Sequence, residues 1–321
     1  MRPLNRTCLL LTLAACSGFA QNAAPPKAAP PNAATPHATQ QDEIPVFTAD
    51  TRLVVVHASV LDKNGKLITS LPESAFKIQE NGADQAIKLF RREDIPVSMG
   101  IIIDNSGSMR DKRAKVAAAS LDLIRASNPQ DEIFVVNFND DAFLDQSLTN
   151  DIKKLETALE RYDTKGGTAM RDAISMSIDY VKEKGKKDKK VLMVVTDGND
   201  NTSNQSLEDL VRKAQQSDVV IYSIGILSEE EPREAKKAKR ALHELALASG
   251  GVDYYPKDLA EIDRITPEIA HEIRNQYTIA YTPTNTALDG TFRKISVVVN
   301  APGGKPTVRT RNGYYATASN K

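Results

Sequence analysis

The sequence predicts an α/β protein: a doubly wound, mostly parallel six-stranded sheet, with a small β-sandwich built from the two chain ends flanking it. Three observations predict this. Between residues 95 and 275, apolar runs of strand length alternate with helical stretches, the pattern of a parallel sheet covered on both sides. Those runs are apolar throughout instead of alternating with polar residues, as strands buried on both faces require. Outside that span, short β-branched segments separated by turn residues occur with no helix between them, and three such strands alone bury too little surface to be stable.

In chain order, 51–61 (TRLVVVHASVL) reads as a strand followed by the turn Asp62-Lys63-Asn64-Gly65. Strands at 75–80 and 86–90 are joined through Asn81-Gly82. The middle then carries strands at 98–103, 132–138, 142–148, 190–196, 219–226 and 252–255. Its helices fall at 112–126, 151–161, 169–183, 207–216, 233–249 and 259–273. The strands at 132–138 and 142–148, linked by Asn139-Asp140-Asp141, form an antiparallel edge hairpin. Strands at 277–282, 292–300 and 307–310 close the chain and are expected to pair with those at its start. The segments are therefore 45–94 (β), 95–275 (α/β) and 276–318 (β).

Two further segments precede these. Residues 1–20 carry two arginines and then an apolar run too short to span a bilayer, which reads as a secretory signal peptide. Leu13-Ala14-Ala15-Cys16 fits a bacterial lipobox, with a lipid anchor on Cys16; cleavage after Ala20 is the alternative. Residues 21–44, rich in Ala, Pro, Asn and Gln, read as a disordered tether. The expected location is extracytoplasmic. Both cysteines, Cys8 and Cys16, lie in the first segment, so no disulfide is expected in the folded part. With 42 basic and 42 acidic residues, no global field favours nucleic acid, and membrane contact is expected only through the anchor.

The chemistry concentrates at Val97–Asp104, an apolar strand that stops at an aspartate and is followed by Asn105-Ser106-Gly107-Ser108. Asp104, Ser106 and Ser108 supply one carboxylate and two hydroxyls, a hard all-oxygen set suited to Mg²⁺ or Mn²⁺ and unlike the nitrogen and sulfur that zinc prefers. The plain alternative is a polar turn in which Ser108 caps the next helix. Two more loops follow the same logic. Gly166-Gly167-Thr168 opens a helix, and the strand at 191–196 ends at Asp197-Gly198. In a parallel sheet all such strand ends share one edge, so Asp104, Ser106, Ser108, Thr168 and Asp197 are placed to converge, in loops expected at the surface.

Asp104-x-Ser106-x-Ser108, then Thr168 after two glycines, then Asp197-Gly198 resembles the von Willebrand factor type A (VWA) domain, Rossmann-like in its layering, and the metal-ion-dependent adhesion site of that family. The chain ends more loosely resemble the VWFA-related acidobacterial domain family, which closes with a strand like Arg311-Asn312-Gly313-Tyr314-Tyr315. The resemblance implies that Ser106 and Ser108 bind the ion through their hydroxyls, and that Asp104 does so directly or through water. Thr168 and Asp197 would exchange direct and water-mediated contact, coupled to a shift of the helix at 259–273. Two carboxylates suit Mg²⁺, with Mn²⁺ as a substitute; Ca²⁺ asks for more oxygens. An open coordination position would take an Asp or Glu carboxylate from a protein partner, with Asn105, Gly167 and Asn199 on the rim.

Other readings are weaker. No G-x-G-x-x-G or G-x-x-x-x-G-K-[ST] marks a nucleotide phosphate site, and His57, His243 and His271 are scattered with no zinc-type pairing. The Asp197–Asn201 stretch misses the EF-hand spacing, so 199–205 reads as a solvated loop. A Mg²⁺-dependent phosphohydrolase would want an aspartate where Ser106 stands, and no nucleophile–base pair is visible. The chain therefore reads as a non-enzymatic binding module, with a scaffold subunit of an envelope assembly as the alternative.

Overall fold

The first strand of the α/β region lies in the middle of its sheet, and that placement creates the site. The computed structural model describes residues 53–317, apart from 93, 162, 228–231 and 303; the signal-peptide, Cys16 and tether readings lie outside the described residues. The elements run β1 (Val54–Leu61), β2 (Phe76–Glu80), β3 (Ala83–Gln85), β4 (Ile87–Arg91), β5 (Val97–Asp104), α1 (Arg113–Ala126), β6 (Glu132–Phe138) and β7 (Ala142–Thr149). They continue α2 (Ile152–Glu160), α3 (Met170–Lys184), β8 (Lys189–Thr196), α4 (Leu207–Gln216), β9 (Val219–Gly225), α5 (Pro232–Ser249) and β10 (Asp253–Tyr254). Last come α6 (Ile262–Asn275), β11 (Tyr277–Tyr281), β12 (Phe292–Val299), β13 (Thr307–Arg309) and β14 (Gly313–Tyr315).

The six-stranded sheet has the order β10-β9-β8-β5-β6-β7, parallel except for the β6–β7 hairpin. From β5 the chain builds outward through β6 and β7, then returns to the other side of β5 for β8 and builds the other way. The carboxyl ends of β5 and β8 therefore flank the point where strand order reverses, the crevice in which open α/β sheets bind ligands.

Both faces are covered, as the apolar runs require. Met99, Ile101 and Ile103 of β5 pack with Val116, Leu123, Leu155, Ile265 and Ile269 of α1, α2 and α6. Ile102, one residue out of phase, packs on the opposite side with Ile174, Ile178, Leu210 and Leu242 of α3, α4 and α5. Each such side chain, removed from water, contributes about 1.5–3 kcal/mol. Gly100 is obligatory for packing: a Cβ there would lie 2.3 Å from Phe134 Cζ.

The chain ends pair. β1 runs antiparallel to β11 and to β13, while β2 pairs with β12. Two four-stranded sheets result, β13-β1-β11-β4 and β14-β12-β2-β3, enclosing Val56, Ile78, Tyr277, Ile279, Tyr281, Ile295 and Tyr314. The expected second strand at 86–90 differs in one respect. Asn81 (φ 48°) and Gly82 (φ 84°) form the tight turn, but the strand after it divides. β3 stays with β2, and after Ala86 β4 crosses to pair with β11 in the other sheet. The expected helix at 259–273 also divides, into a 3₁₀ turn at Leu259–Glu261 and α6. Among the described residues, no helix is long and apolar enough to cross a membrane.

Candidate metal site

Asp104 ends β5 in full burial, and that changes what it does. Its Oδ1 accepts the Ser106 N–H at 2.7 Å and its Oδ2 accepts the Thr196 hydroxyl at 2.6 Å. Burial pushes its carboxyl up to about 6; the bonds from Ser106 and Thr196 oppose that rise, and the charge of Asp197 adds to it. The expectation of a surface aspartate is corrected: Thr196, the last residue of β8, roofs it.

The loop after Asp104 turns through a 3₁₀ segment, Gly107–Met109, before α1 begins. Ser106 Oγ and Ser108 Oγ lie 3.1 Å apart, and the Ser108 hydroxyl donates to Asp197 Oδ1 at 2.8 Å. Neither serine caps a helix. The 3₁₀ turn starts at Ser106 without a side-chain bond, and the residue preceding α1 is Lys112, also without one. Thr168 is passed over in the same way, since α3 starts from Ala169 with no side-chain cap. Elsewhere this chain uses such residues as caps: Asp151 accepts from Lys153 N–H and Ser206 from Asp209 N–H.

Thr168 is positioned through its backbone. Its N–H donates to Asn201 Oδ1 at 2.8 Å and its carbonyl accepts the Asn201 N–H at 3.1 Å. Before it, Gly166 adopts φ +74°, its carbonyl accepts the Gly107 N–H at 3.3 Å, and Gly167 N–H donates to Asp140 Oδ1 at 2.7 Å. Thr168 Oγ1 is the nearest atom to the place a Cβ on Gly198 would occupy, at 3.9 Å, so this hydroxyl faces the turn that carries Asp197. The Asp197 carboxylate is itself buried, with Ser108 on one oxygen and the Lys112 ammonium on the other.

The structure thus brings Ser106, Ser108 and Asp197 into one hydrogen-bonded chain, with Asp104 beneath and Thr168 beside it. The three rim residues fare differently. Asn105 is not on the rim: it is buried, its Oδ1 accepts from Arg113 Nε at 2.6 Å, and its backbone bonds to Phe138 and Lys165 tie three loops together. Gly167 is partly exposed, and a side chain there would strike Thr202 and Asn201. Asn199 is partly exposed and donates to Glu234 Oε2 at 2.8 Å. The loop at 199–205, read as solvated, is strapped down. Asp200 accepts from Arg171 and Ser203, and Asp172 accepts the N–H groups of Asn204 and Gln205. Sequence reasoning missed Thr196, Lys112 and Arg113; each acts across the fold on a partner that no local pattern indicates.

The donor set fits a small hard dication. Successive oxygens 3.1 and 2.8 Å apart match the ~2.9 Å edge of an octahedron whose bonds are ~2.05 Å, as for Mg²⁺. Among the described residues no group of three or more His, Cys, Asp or Glu is placed to hold a metal, so a dication here must rely on the hydroxyls.

No curated protein matches the sequence. Among solved structures, the chain is similar to a von Willebrand factor type A protein from Catenulispora acidiphila, with 16% identity over 76% of this chain and 73% of that one, TM-score 0.49. It is also similar to an aerotolerance-related membrane protein from Bacteroides fragilis, with 19% identity over 55% and 98%, TM-score 0.45. A third is proximal thread matrix protein 1 from the mussel byssus, solved with a zinc-occupied MIDAS motif, with 17% identity over 60% and 49%, TM-score 0.48. The model of the von Willebrand factor type A domain matches residues 99–268, more than half of the sequence and the whole run from β5 into α6, and the chain belongs to that family.

Proposed function

We propose that this protein is a divalent-metal-dependent protein-binding module that works outside the cytoplasm, either anchored by a lipid on Cys16 or released by cleavage after Ala20, and that it is not an enzyme. The observation that carries the reading is the idleness of three hydroxyl residues as helix caps. Ser106, Ser108 and Thr168 stand at helix entrances, yet none caps one, and the first two join Asp197 in a string of closely spaced oxygens. Ser106, Ser108, Thr168, Asp104 and Asp197 would hold the ion, with Mg²⁺ preferred and Mn²⁺ accepted. When bound, the ion supplies a Lewis-acidic position for the carboxylate oxygen of a partner's Asp or Glu. Asp104, held from two sides, keeps the loop in shape.

The test is capture of a protein from an envelope extract by the immobilised chain with Mg²⁺, its release by chelator, and loss of capture in Thr168→Ala. Capture that survives both the chelator and the substitution would remove the metal from the account. Turnover of a generic phosphoester, abolished by Asp104→Asn, would replace it with an enzyme.

A further inference from the structure

Lys112 is the unexplained member of the site. It immediately precedes α1, anchored through its backbone: its N–H donates to Met109 O at 2.9 Å and its carbonyl accepts from Val116 N–H at 3.1 Å. Its side chain makes no capping bond. Instead its ammonium contacts Asp197 Oδ2, on a carboxylate with 0% side-chain exposure, while its own side chain remains 27% exposed. The neighbouring cation on the same helix face, Lys115, is committed elsewhere, to Asp263.

We infer that Lys112 is a built-in competitor for the metal, a tethered monovalent cation that shares Asp197 with the dication and sets both how weakly the ion is held and how strongly an anionic partner is wanted. The inference rests on the metal-site reading above. Charge accounting gives it content. Asp104 and Asp197 contribute two negative charges and Lys112 one positive, so the chain offers a dication a net charge of only −1. A dication that takes both Asp197 oxygens must displace the ammonium. One that takes Oδ1 alone must tolerate a like charge across one carboxylate, which at such range costs far more than in bulk water. Either way affinity for the free ion falls, and where the ammonium stays in place the loaded site carries +1, a surplus that an incoming carboxylate neutralises. A lysine suits this better than an arginine, because its point charge sits on a flexible stem and leaves without giving up a bidentate fork. Without the ion, the same ammonium keeps Asp197 from being a buried, unpaired charge.

The probe is Mn²⁺ alone, titrated calorimetrically and by paramagnetic resonance into the full chain, for wild type, Lys112→Met, Lys112→Gln and Lys112→Arg. Two neutral variants are used so that one folding failure does not end the test. Both neutral variants are expected to bind Mn²⁺ at least about tenfold more tightly than wild type, with Lys112→Arg close to wild type. Melting supplies the second readout: the neutral variants melt below wild type in EDTA and recover that difference at saturating Mn²⁺. Weak but measurable binding in wild type and tight binding in both neutral variants would be the strongest support. Equal affinities, within about twofold, would overturn the inference while leaving the metal site intact. Absence of binding in every form would overturn the metal-site reading and the inference with it.

Discussion

The two ends of the central sheet carry comparable amounts of buried polar chemistry, and only one of them reads as a site. At the carboxyl end stand Asp104, Ser106, Thr168 and Asp197, all buried, with Ser108 open to solvent. At the amino end, against the β-sandwich, stand His57, Ser59, Ser98, Asp131, Lys189, Glu272 and Gln276, all buried as well. Gln276 Oε1 apart, which has no partner among the described residues, the base is tied off pair by pair. Asp131 accepts the Val97 N–H at 2.7 Å, Ser98 donates to Glu132 at 2.6 Å, and Lys189 donates to the Ile273 carbonyl at the end of α6. Glu272 accepts from Ser59 at 2.7 Å, and Gln276 reaches both Ser59 and Tyr222. Each bond joins an α/β element to a neighbour or to β1, so the polar groups there act as fasteners between α6, the sheet and the sandwich. At the other edge, hydroxyls forgo the backbone groups beside them and assemble around one carboxylate. Burial alone therefore does not identify a site; what the buried groups are spent on does.

The comparison breaks most visibly at the base. Glu272→Ala leaves the buried Ser59 hydroxyl without its acceptor and removes the carboxylate that pairs with the partly exposed Arg309, and is expected to cost about 1–3 kcal/mol, the range for a buried donor left unpaired. Chemical denaturation measures this, and the stabilisation by Mg²⁺ should persist in the variant. Loss of the metal response together with stability would mean that the two ends are not separable.

Taken over a single pH unit, a smaller effect is expected from titration. Burial lowers the Lys189 ammonium from the ordinary 10.5 to about 7, partly offset by Glu272, Asp94 and Asp131. Between those values the unfolded chain binds more protons at this group than the folded one. Stability from this group therefore rises with pH from about 7 toward the ordinary lysine range and is lost as pH falls to 7, with a slope of at most about 1.4 kcal/mol per pH unit. Lys189→Met should flatten that slope. An unchanged profile in the variant would place the dependence elsewhere.

The smallest stability change is expected at the carboxyl edge. Asp104→Asn keeps an acceptor for the Ser106 N–H and removes a charge that burial disfavours, so in chelator its stability should stay within about 1 kcal/mol of wild type. Its response to Mg²⁺ should vanish. A large loss in chelator would make Asp104 a fastener like Glu272.

How much of this was legible follows from the range of the interactions. β5 and β8 could be read because an apolar run ending at an aspartate is a local pattern, and α4 falls at 207–216 because Ser206 and the acids after it announce its start. The division of the strand after Gly82 was not legible, since it depends on β11, almost two hundred residues away, offering the edge that β4 takes. Asn105 looked like rim for the same reason: what turns it inward is Arg113, eight residues later, buried because Asn137 on β6 receives it. Lys112 gives no local sign of its role. Its contact with Asp197 exists only once β5 and β8 are neighbours.

The account stands or falls on whether the carboxyl edge takes a dication. Calorimetric titration of Mg²⁺ into the chelator-treated protein measures it directly. The account predicts one ion per chain, a melting temperature that rises with Mg²⁺ (about 2.7 kcal/mol of stabilisation at a hundredfold excess over Kd), and loss of both in Ser108→Ala and Asp197→Ala. No heat and no melting shift at millimolar Mg²⁺ or Mn²⁺, or binding unchanged by both substitutions, would contradict it.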